Sequence, residues 1–194
     1  MALDGSTTLE IAVSSLVTLR RSTVADAELI HAWRSEPSAV VYQPMILLPL
    51  NDVRTMLAER ATVPLSPSAI GKIQWTVETP DGPAGWITLS FSAEDRRHRK
   101  AAIGYLIGER FRGRGYGVEA LGALLPIAFG RERLGMERLE AVAAVDNLAS
   151  RRVLERNGFR LEGVLRGLLI INGVRVDHAT YGLLKSDWEG SNDR

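Results

Sequence analysis

Stretches in which apolar and polar residues alternate recur through the first half of the chain. They cover residues 9–13, 16–21, 73–78, 85–92 and 101–107. A period of two residues is typical of a β-strand with one buried face. Residues 79–83, Thr-Pro-Asp-Gly-Pro, separate the third stretch from the fourth and are a strong turn signal. The pattern therefore predicts a central hairpin that is followed by a third strand.

Apolar residues at helical spacing predict four helices. The first opens at residues 23–26, carries Trp33 on its apolar face and ends before Pro37. The others are expected over residues 51–60, 117–130 and 148–157. Pro126 lies inside the 117–130 helix, where it predicts a kink or the loss of one hydrogen bond.

The second half of the chain mixes strands with these helices. Strands are expected over residues 139–145, 159–165 and 168–184. The pair Asn172-Gly173 breaks the last of them and is typical of a hairpin turn. Residues 94–100, most of which are charged, are expected to form a solvated turn. Because hairpins stand beside one β-α-β unit, the order predicts an α+β fold, with one mixed central β-sheet flanked by helices.

A chain of 194 residues, of which 45% are hydrophobic, suits a single globular domain. We expect this domain to span residues 9–188, with flexible ends at 1–8 and 189–194. The net charge of +1 argues against a general nucleic-acid binder, and the absence of cysteine together with three scattered histidines argues against a metal site. With neither a signal peptide nor a membrane-spanning run, the expected location is cytoplasmic.

A loop rich in glycine and arginine joins the strand at 101–107 to the long helix. Its residues are Arg112, Gly113, Arg114, Gly115, Tyr116 and Gly117. Glycines let backbone N–H groups curl round an anion, and the N-terminus of the following helix adds unpaired N–H groups and partial positive charge. The loop has neither the Gly-Lys-Ser/Thr ending of a Walker loop nor the spacing of a dinucleotide fingerprint. It therefore predicts a pyrophosphate site of another type.

Three groups of residues carry a family resemblance that extends over about residues 16–188. The pattern Arg112-x-x-Gly115-x-Gly117 resembles the pyrophosphate loop of the GNAT superfamily of N-acetyltransferases. Asn147, Ser150 and Gly158-Phe159 resemble a second segment of that family. A third set of residues resembles the branch of the family that contains the ribosomal-protein alanine N-acetyltransferases. This set consists of the stretch 19–26, Glu162-Gly163, Asp177 and Trp188.

The resemblance implies that acetyl-coenzyme A binds this chain and that a neutral amine attacks its thioester directly, within a ternary complex. The sheet of this family splays beside the third central strand, which would expose backbone N–H groups near Leu106 and Ile107 to the cofactor. The loop 112–117 would bind the pyrophosphate. Asn147 would hydrogen-bond the pantetheine arm, and Ser150 would begin the adjacent helix. No metal is implied.

The resemblance also implies which residues handle protons. Glu162 is the first candidate for a general base, acting directly or through a water. Ser150 is the candidate that orients or protonates the leaving sulfur. Many family members have a tyrosine where Leu154 stands here, which makes Ser150 more important as a helper. His178 is a weaker base candidate, with a structural role as its alternative.

The identity of the acceptor is left open by the sequence. Trp33, Tyr42 and Trp75, with Met45 nearby, are candidates for an acceptor pocket, although tryptophans at helical or strand spacing are more often core residues. The acceptor is a protein N-terminal amine, an aminoacyl nucleotide or another small amine. The alternatives are a coenzyme A-binding sensor without catalysis and, more weakly, an RNA-binding accessory that uses residues 96–100. A homodimer is also left open.

Overall fold

Eight strands form one mixed sheet in the computed structural model, which describes residues 12–44 and 46–192. The strands are β1 (Ala12–Val13), β2 (Thr18–Arg21), β3 (Gly71–Thr79), β4 (Gly82–Phe91), β5 (Lys100–Ile107), β6 (Arg138–Ala144), β7 (Arg160–Ile171) and β8 (Val174–Leu184). Their order in the sheet is β1-β2-β3-β4-β5-β6-β8-β7. Every pair is antiparallel except β5 with β6. The predicted α+β fold with a mixed sheet in a single domain is confirmed.

Helices cover parts of both faces of the sheet. They are α1 (Ala27–Arg34), α2 (Leu50–Thr62), α3 (Ala93–Arg97), α4 (Tyr116–Phe129), α5 (Leu148–Arg156) and α6 (Lys185–Asn192). The larger core lies between the sheet and α4 and α5, and the smaller core joins α1 and α2 to Trp86 and Leu106 on the opposite face. Of the helices that the structure describes, none has both the length and the apolar character that a membrane crossing requires.

The parallel pairing of β5 with β6 is short, and a gap opens beyond it. Only Lys100–Ala102 on β5 and Arg138–Glu140 on β6 face each other in register. After these residues β5 stays with β4 as far as Ile107, while β6 stays with β8 as far as Ala144. The second halves of β5 and β6 therefore have different partners and separate. This is the splay that the family resemblance implies.

The charged stretch 94–100 is not a plain solvated turn, and that prediction was wrong. Its first part is the helix α3, because Ser92 and Asp95 form a capping box in which each bonds the backbone N–H of the other. The guanidinium of Arg96 folds inward and donates to three backbone carbonyls, those of Ser66, Ala69 and Leu134. Arg96 is therefore a structural tie between loops.

The last two strands form one long hairpin. The predicted turn at Asn172-Gly173 is confirmed, with φ of 49° and 80° at the two residues. The predicted break at residues 166–167 is instead an irregularity inside β7, where pairing shifts between Leu165 and Leu169. There the N–H of Gly167 donates to Asp177 Oδ1 at 2.7 Å, which replaces the missing ladder bond.

The predicted flexibility of the two chain ends stays a prediction. Residues 189–192, expected to be flexible, belong to α6, and the packing of Trp188 on Phe129, with ring centroids 5.2 Å apart, anchors this helix to the core. Residues 193–194 and the predicted flexible segment 1–8 lie outside the described residues.

Candidate active site

A cavity of about 570 Å³ lies where β5 and β6 separate. The end of β5 forms one wall, and the N-terminal turns of α4 and α5 form the others. Residues 38, 39 and 41–43, which follow α1, also line the cavity. The fold therefore brings the predicted glycine and arginine loop, Asn147 and Ser150 to a single opening in the sheet.

The glycines of the loop allow a tight turn into α4. Gly113 and Gly115 have φ of 76° and 83°, a region that other residues rarely adopt. The first helical bonds run from the N–H groups of Val118 and Glu119 to the carbonyl of Gly115. The N–H groups of Tyr116 and Gly117 are thus left without an intrahelical acceptor. Together with the helix dipole, they make this end of the cavity suitable for an anion.

Gly117 has a second role, because it lets α4 approach α5. A Cβ at this position would lie 3.2 Å from Val153 Cγ2, on the facing side of α5. Both residues line the cavity, so the close approach of the two helices sets its width at this point.

The two predicted arginines of the loop have different surroundings. Arg112 lines the cavity, and its Nε donates to the carbonyl of Ile107 at 2.8 Å. Arg114 instead pairs with Asp81 at 2.7 Å, in the turn between β3 and β4. Sequence reasoning missed Arg152 and Arg156, which also line the cavity. Their spacing of four residues on a predicted helix is the signal that could have found them.

The backbone of β5 alternates between β4 and the gap. The N–H of Gly108 donates to the carbonyl of Ala84, and the register then directs the backbone of Leu106 toward β4. Tyr105 and Ile107 consequently direct their N–H groups to the gap. Of the two positions that the sequence predicted, Ile107 is thus the one whose amide faces the cavity, while the side chain of Leu106 belongs to the core under α1 and α2.

Tyr105, which sequence reasoning missed, lines the cavity and makes a polar contact with the predicted residue Ser150. Its hydroxyl lies 2.8 Å from Ser150 Oγ and donates to the carbonyl of Ser150 at 3.0 Å. Burial raises the pKa of Tyr105 to about 12, so the phenol stays protonated at neutral pH. The N–H of Ser150 donates to Asn147 Oδ1 at 3.1 Å, which makes Asn147 the N-cap of α5. The signal for Tyr105 was its place on β5, two residues before Ile107.

The structure does not bring Glu162 into the cavity lining. Glu162 lies on β7, and its carboxylate accepts two hydrogen bonds from Arg138, at 2.8 and 2.5 Å. Arg138 is the first residue of β6, at the closed end of the β5–β6 junction, whereas the cavity is at the open end. The bond from Arg138 lowers the pKa of Glu162, which keeps this carboxylate ionised and paired.

Of the residues predicted to bind the acceptor, only Tyr42 is among the residues that line the cavity. Tyr42 lines the cavity and is 37% exposed. Trp33 is buried between α1 and α2, where Gly108 packs against its indole ring. Trp75 is fully buried in the main core, so it is a core residue here. Met45 lies outside the described residues.

Two further side chains that the sequence singled out are buried. Leu154 packs in the main core. His178 is buried on β8, with its Nδ1 2.9 Å from the carbonyl of Val176. Over residues 12–44 and 46–192, no three His, Asp or Glu side chains come together in a way that could hold a metal ion.

Comparison with known proteins identifies the family to which this fold belongs. Residues 17–160 match the acetyltransferase (GNAT) domain. The chain belongs to the GNAT family of acetyltransferases. It is 32% identical to the uncharacterized N-acetyltransferase YoaA of Bacillus subtilis, over 86% of this chain and 92% of that protein.

Other relatives link this GNAT chain to ribosomal-protein acetyltransferases. It is 45% identical to YdaF of Bacillus subtilis, a candidate ribosomal N-acetyltransferase, over 53% of this chain and 55% of that protein. The alignment therefore spans about half the length of that relative. The structure of RimL, a ribosomal L7/L12 alpha-N-protein acetyltransferase in complex with coenzyme A, has the same fold, with a TM-score of 0.75 and 23% identity over 90% of this chain and 98% of RimL.

Proposed function

We propose that this protein transfers the acetyl group of acetyl-coenzyme A to a primary amine. The observation that carries the proposal is the glycine loop at the N-terminus of α4, which opens directly onto the gap between β5 and β6. The helix end provides N–H groups that suit a pyrophosphate. The unpaired strand backbone in the gap provides hydrogen-bonding groups that suit the pantetheine arm. Family membership supports the same conclusion.

The residues present fit coenzyme A along the whole cavity. The N–H groups of Tyr116 and Gly117 would bind the pyrophosphate, with Arg112 adding charge from the loop. Arg152 and Arg156 on α5 would add positive charge near the phosphate group of coenzyme A that is not part of its pyrophosphate. The gap-facing amides of Tyr105 and Ile107 would pair with the pantetheine arm as an added strand pairs with a sheet edge.

Acetyl-coenzyme A supplies the activated acyl group, and the chain's own residues position the reaction. The N–H of Ile107 faces the gap and would donate to the thioester carbonyl oxygen as negative charge develops on it. Ser150 Oγ lines the same cavity and would donate a hydrogen bond to the departing sulfur. The contact with Tyr105 holds the Ser150 side chain in place for this role.

A strong base is not needed for an acceptor of this kind. An α-amine has a pKa of about 8, so a fair minority is neutral at pH 7 and is ready to attack. Glu162 stays a prediction as the base, because it would have to leave Arg138 and reach the opposite end of the strands. Solvent that enters through the cavity mouth is the simpler acceptor for the amine proton.

We favour a protein N-terminal α-amine as the acceptor. YdaF is named as a ribosomal N-acetyltransferase and RimL as a ribosomal L7/L12 alpha-N-protein acetyltransferase, and the cavity beside Tyr42 is lined by the neutral side chains of Ser38, Ala39, Val41 and Gln43. Acidic side chains, which a polyamine or aminoglycoside would require, are absent from the described lining of the cavity. A cytoplasmic location, where acetyl-coenzyme A and ribosomes are present, remains a prediction.

The proposal is tested by thiol release from acetyl-coenzyme A with a panel of acceptors. The panel contains peptides with varied N-terminal residues, aminoacyl-adenylate analogues, aminoglycosides and polyamines. Release with peptides alone would support the proposal, and release with polyamines alone would contradict the acceptor class. Tight coenzyme A binding with no release from any amine would instead favour the alternative of a sensor without catalysis.

A further inference from the structure

Two short 3₁₀ helices lie where the loop before α4 meets the acceptor-side segment (residues 37–43). The first, Pro37–Val40, follows α1, and the second, Glu109–Phe111, follows β5. Residues from both helices line the cavity. The position of one helix relative to the other therefore sets part of the shape of the cavity.

Each 3₁₀ helix has an N–H group that donates to a carboxylate from the other segment. The N–H of Glu109 donates to Glu36 Oε2 at 3.0 Å, and Glu36 immediately precedes the first helix. The N–H of Ser38 donates to Glu109 Oε1 at 3.1 Å. The first N–H groups of a helix have no acceptor within that helix, and neither of these helices has a capping side chain of its own. Glu36 and Glu109 thus form a reciprocal cap, in which each satisfies a donor of the other segment.

Arg112 connects this reciprocal cap to the loop that precedes α4. Its Nη2 lies 3.6 Å from Glu36 Oε2, and its Nε donates to the carbonyl of Ile107. The reciprocal cap is therefore linked to the strand end whose amide faces the gap.

Gly108 allows the two segments to approach this closely. A Cβ at Gly108 would lie 2.8 Å from the ring of Trp33 and 3.3 Å from Glu36 Oε1. Ala39, in the first 3₁₀ helix, is buried in the same apolar cluster as Trp33 and Leu106. The polar bonds of the reciprocal cap thus lie beside a tight apolar contact.

The acceptor-side segment has a weaker polar attachment on its other side. There, Asn172 Nδ2 in the β7–β8 turn lies 3.4 Å from the carbonyl of Val40. That distance is beyond the usual range of an N–H···O bond, whereas both bonds of the reciprocal cap are within it. The reciprocal cap is therefore the stronger of the two polar attachments.

We propose that Glu36 and Glu109 are positioning residues that hold the acceptor-side segment in the conformation that binds the amine acceptor. This proposal rests on the proposed function and adds two residues that act on it through the backbone. When a binding-competent conformation is only partly populated, the apparent affinity falls by that fraction. Loss of the reciprocal cap should therefore weaken binding of the acceptor, whereas the coenzyme A end of the cavity, between α4 and α5, keeps its shape.

Kinetics of two variants at Glu109 test the proposal. Glu109→Ala should raise the KM for a peptide acceptor about tenfold, the usual effect of losing a hydrogen bond to a charged group. Glu109→Gln keeps a side-chain oxygen that accepts from the N–H of Ser38, so its KM should stay within about threefold of the original value. The KM for acetyl-coenzyme A should change by less than about twofold in both variants, because Glu109 is not among the residues that line the cavity.

Glu36 provides a second pair of variants, and Glu94 provides the control. Glu36→Ala should raise the KM for the acceptor as Glu109→Ala does, and Glu36→Gln should restore most of the loss. Glu94→Ala removes an equally exposed carboxylate that pairs with Arg97 on α3, and it should change neither KM. An unchanged acceptor KM in both alanine variants, equal losses for acceptor and acetyl-coenzyme A, or failure of glutamine to restore the KM would overturn the proposal.

Hydrogen exchange separates this proposal from the proposed function. The amide hydrogen of Ser38 should exchange at least about tenfold faster in Glu109→Ala than in the unmodified protein, because it loses its acceptor. Faster exchange without thiol release from any amine would contradict the transfer activity and leave the reciprocal cap supported. Thiol release with an unchanged exchange rate at Ser38 would establish the activity and reject the reciprocal cap.

Discussion

The hydroxyl of Tyr105 donates to the carbonyl of Ser150 while its oxygen lies 2.8 Å from Ser150 Oγ. A phenol has one proton, so in this arrangement Ser150 Oγ–H is the donor to Tyr105. If the Tyr105 hydroxyl instead donates to Ser150 Oγ, the hydroxyl group of Ser150 can point its own proton into the cavity. The pair therefore has two hydrogen-bond arrangements, and the second provides the donor that a departing thiolate needs.

Tyr105→Phe is expected to reduce kcat about tenfold, because loss of the hydroxyl frees the Ser150 side chain to rotate. The KM for acetyl-coenzyme A should change little, since the gap-facing amide of Tyr105 is retained. Steady-state kinetics with a peptide acceptor measures both quantities. Ser150→Ala provides the comparison, and the double variant should be no slower than the slower single variant because the two residues act as a unit. Additive losses would show that they act separately.

Gly117→Val is expected to weaken coenzyme A binding by tenfold or more. Even a Cβ at this position would come within 3.2 Å of Val153 Cγ2, so the larger side chain must push α4 away from α5 or fill the cavity. Calorimetric titration with coenzyme A measures the loss. Gly163→Ala is the control, because a Cβ there meets nothing within 4 Å. Unchanged affinity in Gly117→Val would argue against the assignment of the loop.

Stability should fall in acid through the pair formed by Arg20 and Asp26. Burial by itself would raise the pKa of Asp26, but hydrogen bonds from Arg20 and from Thr23 outweigh it and lower the pKa overall. A carboxyl with a lowered folded-state pKa stabilises the protein above its unfolded pKa of about 3.9, and this contribution is lost as pH falls further.

Asp26→Asn is therefore expected to lower the free energy of unfolding by about 2 kcal/mol at pH 7, because Arg20 loses its buried partner and keeps only the carboxylate of Glu78. The difference from the unmodified protein should shrink as the pH is lowered below about 4. Urea unfolding at several pH values measures it. Glu28→Gln removes an exposed partner of Arg54 and should cost less than about 1 kcal/mol. Equal losses in the two variants would contradict the assigned role of burial.

Glu162→Gln distinguishes two accounts of the amine proton. Since Glu162 is paired with Arg138 outside the cavity, we expect kcat to stay within about twofold of its original value. A pH–rate profile from pH 5 to 9 with a peptide acceptor is the measurement. A large loss of kcat together with a lost acidic limb would instead establish Glu162 as the base that the family resemblance implies.

The sequence predicted the fold and the phosphate end of the site because both depend on local signals. Alternation, turn residues and the spacing of Gly115 and Gly117 are short-range, and they fix strands, turns and the start of α4. Tyr105 and Ser150 are 45 residues apart, so their contact depends on how β5 and α5 pack. No local pattern encodes that distance.

Charged and aromatic positions were harder to predict for the same reason. Arg96 stands in a stretch that is hydrophilic in sequence, yet its guanidinium satisfies carbonyls from loops far along the chain. Trp75 has a strand pattern that fits either a pocket wall or a core, and only its complete burial in the folded chain decides for the core. Glu162 follows a recognisable segment, but its partner Arg138 lies on a different strand.

The gap between β5 and β6 leaves a length of strand edge that the proposed cofactor would complete. Between Ile103 and Ile107, β5 pairs with β4 on one side, and no strand formed by the described residues pairs with it on the other. A small molecule that hydrogen-bonds to the β5 backbone there would take the place of a strand and connect the two halves of the domain. Binding of coenzyme A should therefore slow the exchange of the Tyr105 and Ile107 amide hydrogens with solvent. It should also make the two halves unfold together, so that the concentration of acetyl-coenzyme A governs how cooperatively the protein unfolds.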